Sequence, residues 1–84
     1  MPIDIDDAKR MALERVKNTR DDATADLRVD DVKLQDQKWI VSGSWDATTA
    51  KSSGRMGFDL ELDSESGAIF AEKYAMRPGY IGVG

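Results

Sequence analysis

The stretch Arg55-Met56-Gly57-Phe58-Asp59-Leu60-Glu61-Leu62-Asp63-Ser64-Glu65-Ser66-Gly67-Ala68-Ile69 decides the fold. Met56, Phe58, Leu60 and Leu62 alternate with Arg55, Gly57, Asp59, Glu61 and Asp63, which is the period of a strand with one buried face. The run then ends in a turn. Asp63 is placed to accept bonds from the turn amides, and Gly67 is the residue able to adopt the left-handed conformation that closes the loop. The chain therefore doubles back, and residues 68–76 form an antiparallel partner strand. Pairing Asp63 with Ala68 sets Leu62 against Ile69, Leu60 against Ala71 and Met56 against Ala75.

Working upstream, Trp39, Val41, Gly43 and Trp45 alternate with Ile40, Ser42, Ser44 and Asp46, giving a strand over 38–46. An eight-residue loop, Ala47 to Gly54, joins it to strand 55–63. Pairing Asp46 with Arg55 sets Gly43 opposite Phe58, and the downstream register sets Gly57 opposite Tyr74, so that each glycine lies under a cross-strand ring. Residues 27–35 form a further strand. Leu27 and Val29 have the opposite parity to Val32 and Leu34, so a bulge at Asp30-Asp31 is expected to return all four to one face. The tight connection Gln35-Asp36-Gln37-Lys38 then places Leu34 opposite Trp39 and Val32 opposite Val41.

Residues 4–19 read as one amphipathic helix. Asp4 or Asp6 is a suitable N-cap, and the early aspartates complement the helix dipole. Ile5, Ala8, Ala12 and Val16 recur at helical spacing, and the two alanines permit close approach to a sheet. The fold class expected is α+β: one N-terminal helix packed on a four-stranded antiparallel meander, in a single domain spanning 1–84, with residues 77–84 as a tail. The expected core is Ile5, Ala8, Ala12, Val16, Leu27, Val29, Val32, Leu34, Trp39, Val41, Phe58, Leu60, Leu62, Ile69 and Ala71.

Composition narrows the function. Eighty-four residues and 9.3 kDa allow one small domain with a thin core. The chain has neither Cys nor His, which excludes thiol nucleophiles, disulfides, His-based triads and imidazole metal ligands. Net charge −4 and a pI near 4.7 argue against nucleic acid as a partner, since such binders show a basic face. Twelve of the sixteen acidic residues are Asp, which fits their use at caps and turns or a salt-adapted composition. The N-terminus lacks a signal-peptide pattern and no apolar run is long enough to cross a bilayer. As given, the chain reads as soluble and not inserted in a membrane, cytoplasmic as it stands or extracytoplasmic if cut from a longer protein.

Three groups of residues are weighed for chemistry. The acidic stretch Asp21-Asp22-Ala23-Thr24-Ala25-Asp26 with Asp30-Asp31 lacks the alternation, central Gly and terminal Glu of a calcium loop and reads as a solvated connection. Lys51-Ser52-Ser53-Gly54 lacks the first Gly and following helix of a phosphate loop. The sharpest catalytic candidate is the carboxylate pair Asp59 and Glu72, opposed in this register on the face away from the helix, with Glu61 nearby. A raised pKa there would make a general acid, but a flat sheet face offers no pocket and no second catalytic group converges on it. The expectation is a non-enzyme without cofactor or metal. The same face carries Ile40, Phe70, Tyr74 and Met76 among Asp59, Glu61 and Glu72, an apolar patch with an acidic surround. Such a patch marks an interface for a protein partner or a second copy in a homodimer.

These residues resemble a PepSY-type domain. The likeness rests on Ala8 and Ala12 four apart in the helix, on Lys38-Trp39-Ile40-Val41 opening a strand, and on the run from Phe58 to Ile69. In that run a strand ends in Asp-x-x-Ser-Gly followed by an aliphatic residue, and the resemblance covers roughly residues 4–75. It implies a non-catalytic, often extracytoplasmic module that regulates proteases or binds partners. The order of elements is also similar to the cystatin-like architecture. Here Trp39-Ile40-Val41-Ser42-Gly43 has Trp where the inhibitory Gln-x-Val-x-Gly hairpin has Gln, lies within a strand, and is followed by no Pro-Trp loop. A purely structural homo-oligomerisation domain is the alternative to a partner-binding one, with a small acid/base enzyme using Asp59, Glu61 and Glu72 behind both.

Overall fold

Of the two N-cap candidates, Asp4 and Asp6, it is Asp4 that starts the helix: its Oδ1 accepts from the Asp7 N–H at 2.8 Å. In the computed structural model, which describes residues 2–21, 23, 26–47 and 54–77, α1 runs Ile5–Thr19. Arg20 turns to an extended conformation at its end, with its N–H on the Val16 carbonyl at 2.8 Å. Four antiparallel strands follow in meander order: β1 (Arg28–Gln35), β2 (Lys38–Asp46), β3 (Arg55–Asp63) and β4 (Ile69–Arg77). The α+β class, the element order and both central strands stand as expected.

The helix lies over β1, β2 and β3 and not over β4. Ala8, Ala12 and Val16 are fully buried against Val41, Trp45, Phe58, Leu60 and Leu62. Small residues at the helix surface bring its axis close to the sheet, so the large side chains of the core come from β2 and β3. Ile5 and Leu34, both expected inside, are 42% and 57% exposed. They lie at the margin of the area the helix covers. Trp45 is fully buried, in keeping with the packing role that its place at the hairpin end suggests.

β1 pairs with β2 as read, with Leu34 opposite Trp39 and Val32 opposite Val41, and the register shift falls between Val29 and Asp31. The connection is a two-residue turn with Asp36 at φ 52° and Gln37 at φ 64°, the doubly left-handed geometry that suits the twist of a hairpin. β2 pairs with β3 with Gly43 opposite Phe58 and Asp46 opposite Arg55. The Phe58 ring does cover Gly43, since a Cβ there would meet its Cζ at 2.5 Å. The calcium-like stretch and the 47–54 loop lie partly outside the described residues.

The turn at 63–67 forms as its residues dictate. Gly67 has φ 78° and its N–H reaches the Asp63 carbonyl at 2.9 Å, while the Asp63 N–H bonds the Ala68 carbonyl at 2.8 Å. The Asp63 carboxylate accepts from the Glu65 N–H at 3.2 Å and the Ser66 hydroxyl at 2.9 Å. Those two bonds, the backbone one foremost, hold its pKa below the ordinary value. A Cβ on Gly67 would also run into the end of the Met11 side chain. Gly67→Val is therefore expected to cost on the order of 1 kcal/mol or more, because a β-branched residue resists positive φ. Urea unfolding measures this; an unchanged midpoint would contradict it.

The last pairing departs from expectation. Leu62 does face Ile69, but Glu61 faces Ala71, so Phe70 is an extra residue on β4 and the register shifts there. From that point every residue is displaced by one: Leu60 faces Glu72 instead of Ala71, Met56 faces Met76 instead of Ala75, and Gly57 faces Ala75 instead of Tyr74. Tyr74 pairs with Phe58. Because side chains alternate with period two, a one-residue displacement exchanges the two faces. Ala71, expected in the core, is exposed for this reason.

Candidate functional site

The bulge at Phe70 divides the seven residues expected to form a single patch. Ile40, Asp59 and Glu61 lie on the face away from the helix, as read. Phe70 also stands on that side, its ring 5.4 Å from the Lys38 ammonium. Glu72, Tyr74 and Met76 are corrected to the helix side, where they share a face with Leu60, Phe58 and Met56. The apolar patch of Ile40, Phe70, Tyr74 and Met76 is thus not contiguous.

The proposed pair of carboxylates is likewise separated. Asp59 is opposite Lys73 and accepts from the Ser42 hydroxyl. Glu61 is 3.4 Å from the Lys38 ammonium. The open face is thus a set of matched polar pairs. At its far end Arg55 binds Asp26 at 2.8 Å and Ser44 at 3.1 Å, and Ser44 donates to Asp30 at 3.1 Å.

On the helix side Glu72 takes a bidentate pair from Arg15, with Nη2 to Oε1 at 2.6 Å and Nε to Oε2 at 3.3 Å. The Tyr74 hydroxyl donates to the same carboxylate at 2.9 Å. Hydrogen bonding from Arg15 holds the Glu72 pKa down, and burial pushes the Tyr74 phenol up. Tyr74 meets Trp45 edge to face with centroids 6.2 Å apart. The Arg20 guanidinium lies 5.6 Å from each ring centroid, within cation–π range. The Trp45 indole N–H is buried, with no hydrogen-bond partner among the described residues. Arg15 and Arg20 were not singled out from the sequence as site residues. The five-residue spacing of the two arginines signals nothing until β4 is placed beside them.

What remains available is the margin of the sheet. Among the described residues both β1 and β4 have a neighbour on one side only, and each leaves backbone groups turned outward. The two edges differ in protection. β1 carries a bulge and four charges in eight residues, Arg28, Asp30, Asp31 and Lys33. β4 reads Ile-Phe-Ala-Glu-Lys-Tyr-Ala-Met-Arg, six apolar residues in nine, with Phe70 and Met76 59% and 56% exposed near its ends. A cleft of about 210 Å³ between α1 and β1, lined by Ile5, Lys9, Val29, Asp30, Asp31 and Val32, is smaller than typical small-molecule sites. Among the described residues, no group of three or more acidic side chains is placed to hold a metal ion. No helix among them is long and apolar enough to cross a membrane. Comparison with known protein families, curated proteins and solved structures finds no match to this chain.

Proposed function

We propose that the chain is a non-catalytic module that binds a protein partner along the outer edge of β4. The observation carrying this reading is the combination of a nine-residue edge, unpaired among the described residues, with exposed Phe70 and Met76. An extended partner segment would gain main-chain bonds along the edge and set alternate side chains beside these two residues. A non-catalytic role is supported by the carboxylates themselves. Asp59 and Glu72 stand on opposite faces of the sheet, and Glu72, bound by Arg15, is held low, the direction opposite to that needed by a general acid near neutral pH. The resemblance to PepSY domains implies a role of the same kind.

Photo-crosslinking tests the reading. A photoreactive residue at Phe70 or Met76, in cells of the source organism, is expected to give discrete adducts. The same group at Lys17, on the solvent side of α1, is expected to give none. Equal labelling at all three positions, or none at β4, would remove the edge as the binding surface.

A further inference from the structure

We infer that β4 is a latched strand: residues 71–77 leave the sheet as one unit while α1 and β1–β3 stay folded, and the Arg15–Glu72 pair is the latch. The inference stands whether or not a partner binds the outer edge of β4. Its first support is where the core sits. Among the described residues the nine fully buried apolar side chains come from α1, Ala23, β2 and β3, and none from β4. β1 has no fully buried side chain either, but α1 lies against it and not against β4. The core therefore keeps its helix and its central strands when β4 departs.

What ties β4 to the helix is a set of side chains reaching out from the C-terminal end of α1. Arg15 gives two N–H groups to Glu72, at 2.6 and 3.3 Å, and the Tyr74 hydroxyl donates to the same carboxylate at 2.9 Å. The Arg20 guanidinium lies 5.6 Å from the Tyr74 ring. The fork-to-carboxylate geometry is the strong form of an ion pair, yet Arg15 is half-exposed, so its contribution is modest. That is the range a latch needs, enough to bias the strand and too little to fix it. The bulge supplies the hinge. The extra residue at Phe70 breaks the β3–β4 register and interrupts the ladder there, so residues 71–77 can part from β3 while the 63–67 turn keeps its own bonds. Opening lifts Tyr74 from Trp45, 6.2 Å away between centroids, and bares the backbone edge of β3.

The test is native-state amide hydrogen exchange of the full chain, read residue by residue by NMR, for the wild type, Arg15→Met and Lys17→Met. Lys17 is exposed on the same helix, and its loss removes the same charge without touching the clasp. In the wild type the amides that bond β4 to β3 are expected to share one level of protection. That level should be at least about tenfold below the protection of the amides that bond β3 to β2. Arg15→Met is expected to lower protection of the first set by about 2- to 5-fold and to leave the second set unchanged, and Lys17→Met to change neither. High salt should loosen the first set of the wild type more than the second. Equal protection of the two sets would mean that β4 opens only with the whole domain and would overturn the inference. A gradient falling from residue 71 to residue 77 would mean fraying from one end, and overturns it too. So does an Arg15→Met variant that loosens both sets alike, behaves like Lys17→Met, or shows no cooperative thermal melt, since the core would then depend on the clasp or the clasp would hold nothing.

Discussion

Leu60→Ala is expected to lower stability by about 2–4 kcal/mol, or roughly 8–30 °C in melting temperature for a domain of this size. Leu60 is fully buried at the middle of β3, with Val41 on one side and Glu72 on the other. Neighbouring strands hold β3 on both edges, and Ala8, Ala12 and Val16 close the helix side of the core. The site therefore has little freedom to collapse around a lost isobutyl group. Urea unfolding should show a lower midpoint at constant slope. Phe70→Ala, at an exposed ring, is the control and should shift stability by no more than about 0.5 kcal/mol. A loss at Phe70 equal to that at Leu60 would mean that the bulge has been misplaced and the faces of β4 exchanged.

Gly43→Ala is expected to cost on the order of 1–3 kcal/mol or more, although it adds a single methyl group. A Cβ at this position meets the Arg28 carbonyl oxygen and lies 2.5 and 2.6 Å from two atoms of the Phe58 ring. The ring is itself fully buried and has no free direction in which to retreat. Relief requires β1 to move away from β2, or Phe58 to leave its rotamer. Gly54→Ala provides the contrast, since among the described residues its Cβ meets only the Met76 terminal methyl at 3.1 Å, a group that swings aside easily. Melting curves of the two variants should separate clearly; comparable losses would contradict the covering role of Phe58.

The two bulges show why one half of the sheet was legible in the sequence and the other was not. At Asp30 the apolar residues change parity within one strand, from Leu27 and Val29 to Val32 and Leu34, so a single inserted residue is the simplest way to bury all four. β4 gives no such signal. Ile69, Phe70, Ala71, Tyr74, Ala75 and Met76 supply apolar side chains in both parities, so either phase yields a reasonable strand. Tertiary contacts decide instead: Glu72 meets Arg15 and Tyr74 meets Trp45 on the helix side. Neither contact is local in sequence. The same limit applies to Leu34, whose spacing says it belongs to an apolar face but not that the helix stops short of covering it, and to Ile5, which the first turn of α1 leaves beyond the core.

One end of the molecule is joined by a three-way clasp. The Ile3 N–H bonds the Ser64 carbonyl at 2.8 Å, the Ser64 N–H bonds the Gln37 carbonyl at 3.0 Å, and the Trp39 indole donates to the Ile3 carbonyl at 3.2 Å. Two of these partners are hairpin turns that form from neighbouring residues, whereas Ile3 must find Ser64 from the other end of the folded chain. During synthesis the Ile3 carbonyl can meet Trp39 once β2 has emerged, but the Ile3 amide has no partner until the third strand and its turn have followed. Loop closure over that separation makes the clasp a late event in folding, after the hairpins are paired. In the folded protein the Ile3 amide is consequently the place where local opening starts, and its hydrogen should exchange well before those of the central strands.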